Sequence, residues 1–327
     1  MLSTNTESKV AGNKDQQGVA IEKRVNTAIA EIGKALLGKE QQIRLALCCL
    51  FSGGHLLMED LPGMGKTTLS HALAKAFGLD YNRIQFTSDL LPADILGVSI
   101  FDQAKGEFTF HPGPVFRQLI LADEINRTTP KTQSALLEAM EEGQVTTEGE
   151  TRLLPRPFFV IATQNPVTLS GTFPLPESQL DRFLMRLHLG YPHQEAERAL
   201  LQRDAVASDT TESVSRCLSA QDIEEFRSLS SQVHTSDSLL DYVQRLIAYT
   251  RNRDDFHYGL SPRGSLALMR AAKTWALMSG RKHVIPEDVQ AVLPAVVEHR
   301  LRAVTDEDGH TGASLAQRLL NDVNVID

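Results

Sequence analysis

The stretch Asp60-Leu61-Pro62-Gly63-Met64-Gly65-Lys66-Thr67-Thr68 constrains this chain more than any other. A short apolar run, His55-Leu56-Leu57-Met58-Glu59, precedes it and reads as a buried strand. Residues 69–77 follow as a helix, stopped by Gly78. Strand, glycine turn, Gly-Lys-Thr and helix form the setting of a phosphate-binding loop. Successive backbone N–H groups of such a turn point at a phosphate, and the helix N-terminus adds partial positive charge. Gly63, Met64, Gly65, Lys66, Thr67 and Thr68 are therefore the expected nucleotide contacts, with Lys66 reaching the β- and γ-phosphates and the Thr67 hydroxyl holding Mg²⁺. Asp60 occupies the first glycine position of the general pattern. A plain glycine turn between an ordinary strand and helix is the bland alternative, and the flanking elements argue against it.

The segments after this loop alternate between strand and helix. Residues 82–86 read as a second strand, and 89–95 as a short helix interrupted by Pro92. Two alternating runs at 98–101 and 107–110 flank a glycine-containing turn and read as a hairpin. Leu119-Ile120-Leu121-Ala122 is a continuous apolar strand ending in Asp123-Glu124. Pro130 at a first helical position and Gly143 past the last bound a helix over 131–142. A second hairpin spans 144–154, and Phe158-Phe159-Val160-Ile161-Ala162 is another buried strand, ending near Asn165. Strands alternating with helices give a parallel sheet covered on both faces, whose ligands sit beyond the carboxyl ends of the strands. Lys66, Asp123, Glu124 and Asn165 all fall there.

Upstream of the loop, 19–37 and 40–51 carry apolar residues at helical spacing, with stops at Gly38 and Gly53-Gly54. Residues 1–18 are polar, lack the apolar core of a signal peptide, and read as a disordered tail. The pattern changes at Gly190-Tyr191-Pro192, and 194–302 read as helical with no convincing strand. The resulting division is 1–18 tail, 19–190 nucleotide-binding α/β domain, 191–305 all-helical lid, and 306–327 C-terminal tail, with a short helix at 315–323.

Beside the phosphate loop, each polar residue acquires a chemical reading. Asp123 is placed near Mg²⁺, through a water, and Glu124 to polarise a water attacking the γ-phosphate. An exposed acidic pair ending a strand is the alternative. Asn165 is a neutral amide able to orient that water, although Asn-Pro is also an ordinary turn pair. Arg182 is a candidate arginine finger acting on nucleotide of a neighbouring subunit, with Arg186 as second choice. Ser261-Pro262-Arg263 opens a helix and puts Arg263 in its first turn, where a capped helix with an exposed arginine is the simpler account.

These motifs resemble the AAA+ ATPases over about 21–302, and within them the MoxR family. Four passages carry the match: Met58 to Thr67, Leu121-Ala122-Asp123-Glu124-Ile125-Asn126-Arg127, Ala162-Thr163-Gln164-Asn165-Pro166, and Leu175-Pro176-Glu177-Ser178-Gln179-Leu180-Asp181-Arg182-Phe183. The Glu-Asp lead-in is common in that family, so Asp60 departs only from the general pattern. The resemblance implies a five-stranded sheet of order 5-1-4-3-2, Asn165 as sensor 1, Arg182 as finger and Arg263 as sensor 2. It also implies that 98–110 is the helix-2 insert and 144–154 the hairpin before sensor 1. A homo-oligomeric ring, a hexamer, binding ATP and Mg²⁺ and acting on a partner with a von Willebrand A domain is the further implication.

Composition narrows the alternatives. A net charge of −8, from 33 basic and 41 acidic residues, disfavours a general nucleic-acid surface. Three cysteines without C-x-x-C spacing indicate reduced thiols and a cytoplasmic setting. The ten histidines show no metal-ligand spacing; Tyr191-Pro192 separates the nearest pair, His188 and His193. No apolar stretch has the length of a membrane span. The motor subunit of a metal-chelatase complex remains the alternative function, with a nucleic-acid motor behind it. A GTPase or small-molecule kinase is disfavoured, because no Asn-Lys-x-Asp motif follows the phosphate loop.

Overall fold

The computed structural model describes residues 4–104, 106–165, 172–202, 210–253, 256–303 and 314–326, with side chains from Gln16 onward. Helices α1 (Thr4–Gly33) and α2 (Glu40–Phe51) lead into β1 (Leu56–Glu59) and α3 (Lys66–Phe77). Then come β2 (Tyr81–Gln85), α4 (Pro92–Leu96), the hairpin β3 (Gly97–Asp102) and β4 (Glu107–Pro112), β5 (Leu119–Asp123) and α5 (Pro130–Glu142). A second hairpin, β6 (Gln144–Thr147) and β7 (Glu150–Leu153), precedes β8 (Phe159–Gln164), α6 (Glu177–Leu180) and β9 (Met185–Leu187). The rest comprises α7 (Gln194–Gln202), α8 (Ala220–Ser231), α9 (Asp237–Asn252), β10 (Phe256–Tyr258), α10 (Pro262–Met278), α11 (Pro286–Val297), β11 (Arg302–Ala303) and α12 (Leu315–Asp322).

Five strands form one parallel sheet in the order β2-β5-β8-β1-β9. Counted by sheet strand from the β9 edge, this is 5-1-4-3-2, the order implied by the family resemblance. Period-two alternation divides the core. Leu56, Met58, Leu121 and Ile161 face α1, α2 and α3, while Leu57, Ile120, Val160 and Ala162 face α5. The first of these layers continues without interruption into α8, α10 and α11, so the α/β part and the lid share one apolar core across residue 190.

Four local expectations are revised. Helical backbone begins at Thr4, inside the stretch expected to be a disordered tail. That stretch is polar but contains good helix formers, and polarity alone does not separate an exposed helix from a coil. Pro92 opens α4 rather than interrupting a helix, because its lost N–H costs nothing in the first turn. The lid contains a two-stranded antiparallel ribbon, β10 with β11. Finally, α12 buries Leu315, Ala316 and Leu319 in the main core, so it is part of the lid rather than a tail.

The β3–β4 hairpin has a tightly built root. A Cβ on Gly97 would lie 2.6 Å from the Gly113 nitrogen, and one on Gly113 would lie 2.2 Å from the Ile95 carbonyl oxygen. Only glycine permits that approach. Beyond the root, Ile100, Phe101 and Phe108 stand in solvent, with Phe108 72% exposed. Arg152 of β7 lies over the Phe110 ring at 3.8 Å, joining the two hairpins.

Candidate functional site

A cavity of about 570 Å³ opens beyond the carboxyl ends of β1, β2, β5 and β8. Gly63, Gly65, Lys66, Thr67 and Thr68 form one wall, and Asp123, Glu124 and Asn165 face them. Gly63 and Gly65 hold φ of 84° and 94°, values an L side chain resists, so the glycines set the loop's shape. A Cβ on Gly65 would also press on Leu36 at 2.8 Å. Met64 packs partly into the core and anchors the loop.

Lys66 is 8% exposed, and its Nζ donates to the Asp60 carbonyl oxygen at 2.6 Å. No carboxylate pairs with it among the described residues. Burial pushes its ammonium below the usual lysine range, while Asp60, Asp123, Glu124 and Glu59 push the other way. A desolvated cation whose partner is a neutral carbonyl is suited to a phosphate. Thr67 and Asp123 add two oxygen donors across the cavity. That set fits Mg²⁺, which takes one or two protein oxygens and completes its shell with phosphate and water.

The acids are held by their own chain. Asp123 accepts from the Thr163 hydroxyl at 2.6 Å and from Arg83 Nη2 at 2.6 Å. Glu124 has φ 58° and ψ 47°, a left-handed backbone uncommon for a non-glycine residue. Its N–H donates to Thr163 Oγ1 at 2.8 Å, which holds that conformation. The Glu124 carboxylate receives three donors: Asn165 Nδ2 at 2.9 Å, Gln85 Nε2 at 3.0 Å and Arg127 Nη1 at 3.0 Å. Asn165 is in turn fixed through its carbonyl, which accepts from Asn126 Nδ2 at 3.1 Å. The carboxylate is thus oriented by contacts within its own chain.

Arg83, Gln85, Arg127 and Thr163 were not singled out from the sequence. A signal was present for two of them: Arg83 and Gln85 alternate around buried Ile84, so they share one side of β2. Gln85 pairs in register with Asp123.

The arginines lie elsewhere. Neither Arg182 nor Arg263 lines the phosphate-loop cavity. Both line a second cavity of about 620 Å³, with Asp181, Arg270 and Arg300. They share one acceptor, Glu141 of α5: Arg182 Nε at 3.1 Å and Arg263 Nη1 at 3.0 Å. Arg263 therefore lies outside its own chain's phosphate-loop cavity. The Ser261 hydroxyl caps α10 by accepting from the Gly264 N–H at 3.0 Å, and the packing of α10 turns Arg263 toward α5. Arg186 is engaged inside its chain, by Glu59 at 3.0 Å and Glu298 at 4.0 Å.

The loop bearing Arg182 is fastened by the lid. Arg300, almost fully buried, donates to Asp181 Oδ1 at 2.7 Å, to the Phe183 carbonyl at 2.6 Å and to the Leu184 carbonyl at 3.1 Å. His299 Nε2 lies 3.0 Å from the Phe183 carbonyl, and burial holds its ring well below the usual histidine range.

Comparison with known proteins bears on the family and on the two parts of the fold. The family model described as "ATPase family associated with various cellular activities (AAA)" matches residues 55–185, and an "AAA lid domain" model matches 248–319. Protein YeaC of Bacillus subtilis is 47% identical over 276 residues, covering 84% of this chain and 85% of its own. Chaperone MoxR1 of Mycobacterium tuberculosis is 40% identical, covering 87% and 78%. A crystal structure of a Cytophaga hutchinsonii protein with an ATPase designation superposes with a TM-score of 0.85 at 38% identity, covering 98% of this chain and 99% of that one.

Proposed function

The chain belongs to the MoxR family of AAA+ ATPases, and on that premise we propose that it hydrolyses Mg·ATP at the interface between copies of itself. One observation carries the proposal. The acids and the phosphate loop line one cavity, and the arginines that would complete a phosphoryl-transfer site line another. A ring, hexameric by the family pattern, brings the second cavity of one copy against the first cavity of the next.

In this reading Lys66 and the N–H groups of residues 63–67 bind the β- and γ-phosphates. Thr67 and Asp123 hold Mg²⁺, which when bound neutralises charge developing on the phosphate oxygens. Glu124 takes the proton from the attacking water. Asn165 holds the Glu124 carboxylate and orients that water. Arg182 and Arg263 of a neighbouring copy stabilise the charge on the transferring phosphoryl group.

The output is remodelling or maturation of a protein partner in the cytoplasm, one with a von Willebrand A domain. The exposed aromatic tip of the β3–β4 hairpin supports this, as does its contact through Arg152 with the hairpin that leads into β8 and Asn165. Among the described residues no helix is long and apolar enough to cross a membrane.

The test mixes two inactive chains, Lys66→Ala and Arg182→Ala. A shared site regains activity where an intact phosphate loop meets an intact arginine. No recovery, with subunit exchange verified, means that Arg182 acts within its own chain or only structurally.

A further inference from the structure

Asp60 stands where the general phosphate-loop pattern has glycine, and the fold gives its side chain an occupation. Oδ2 accepts from the Leu189 N–H at 2.5 Å, and Oδ1 accepts from the Gly190 N–H at 3.1 Å. These residues follow β9 and lead to α7, so they are the connection on which the lid hangs. From the other side, Lys39 donates to the Leu189 carbonyl at 2.6 Å and the Tyr191 carbonyl at 2.7 Å. Lys39 is buried. The connection is thus gripped on its N–H groups by an acid and on its carbonyls by a base.

The acid that grips the lid connection also touches the phosphate loop, since the Asp60 carbonyl is the acceptor for Lys66. One residue therefore meets the phosphate-binding lysine with its backbone and the lid connection with its side chain. A carboxylate is the group this requires. Two consecutive amides donate to two different oxygens, whereas asparagine offers one oxygen and turns an NH₂ toward the second donor.

We propose that Asp60 is a positioning residue that transmits occupancy of the phosphate loop to the lid. When Lys66 turns from the Asp60 carbonyl to a phosphate, the residue shifts, and its carboxylate carries Leu189 and Gly190 with it. The proposal rests on the reading of Lys66 as a phosphate ligand.

The test is residue-resolved amide hydrogen exchange on the full chain and on Asp60→Asn, Asp60→Gly and Lys66→Ala. Without nucleotide, Asp60→Gly should exchange both Leu189 and Gly190, and Asp60→Asn at least one of the two, at least about tenfold faster, the scale of one lost hydrogen bond, with Val160 unchanged. Lys66→Ala should keep that protection. With the non-hydrolysable analogue AMP-PNP and Mg²⁺ at matched saturation, the unmodified chain should change its exchange in 189–202. The Asp60 variants should not. Unaltered protection of Leu189 and Gly190 in both Asp60 variants overturns the clamp. A lid response in those variants equal to the unmodified chain's overturns the transmission. Failure of the unmodified chain to bind the analogue overturns the nucleotide reading and the transmission with it, and it is distinguishable because the clamp is measured without nucleotide.

Discussion

In the phosphate-loop cavity each carboxylate already has its donors: Thr163 and Arg83 on Asp123; Asn165, Gln85 and Arg127 on Glu124. In the second cavity the balance is reversed, because Arg182 and Arg263 draw on a single carboxylate, Glu141. Arg270 stands beside them with no ion pair among the described residues. The acid side of the chemistry is finished within one chain. The cationic side is assembled, fastened to the lid, and left with more positive charge than its surroundings neutralise. It is this division that motivates the proposal of a site shared between copies of the chain.

The most severe way to break this comparison is Arg182→Ala. If the second cavity serves a neighbour's nucleotide, turnover should fall about 10³-fold, the scale of a lost arginine finger, and recover on mixing with Lys66→Ala. Phosphate release across mixing ratios checks it. Next in size, Glu124→Gln should lower hydrolysis about 10²-fold or more while leaving ATP bound, since the acid is aimed but its basicity is gone. Equilibrium binding beside single-turnover hydrolysis separates the two effects. Turnover near the unmodified rate in either variant would end the division of labour.

The comparison is sharpened by loosening the lid joint. Asp181→Ala leaves the buried Arg300 guanidinium without its carboxylate. It should cost about 3 kcal/mol of stability, read from urea denaturation. The same variant should impair turnover through the neighbour, because it frees the loop that carries Arg182. Glu124 should remain held, with Mg·ATP affinity of the single chain near normal.

The smallest effect concerns the root of the phosphate loop. His55 Nδ1 accepts from the Val160 N–H at 3.0 Å and Nε2 donates to the Met140 carbonyl at 3.1 Å, so the ring is fixed neutral. Burial pushes it down to about 4 from 6.5. The folded value lies below the unfolded one, so the unfolded chain binds the extra proton first. The contribution is complete above pH 6.5 and is lost as pH falls toward 4. One pH unit below 6.5 the stability difference between the unmodified chain and His55→Gln should narrow by about 1.4 kcal/mol. Denaturation midpoints at pH 7.0 and 5.5 check it.

The sequence made some of these features plain and concealed others for physical reasons. The phosphate loop announces itself because phosphate geometry demands glycines, a lysine and a hydroxyl at fixed spacing. The strands carrying Asp123 and Asn165 are legible because parallel strands buried on both faces are continuous apolar runs. Gln85 and Arg83 were hidden because their partners lie some forty residues away and meet them only through strand register. The position of Arg263 was hidden because its helix cap is local, whereas the direction it faces depends on lid packing. The β10–β11 ribbon is too short, three residues against two, to leave a period in the sequence.

The glycine-bound root of the β3–β4 hairpin has a mechanical consequence. With no room for a side chain at Gly97 or Gly113, the backbone at the root lies directly against the end of α4. A hairpin seated in this way would act as a pointer whose base sits in the body of the domain. Six residues of strand make an arm of about 20 Å, so a tilt of about 3° at the pivot sweeps the tip by about 1 Å. The pointer's gain would be set by its length, and a small adjustment at the base would become a larger displacement at the exposed rings of Phe101 and Phe108.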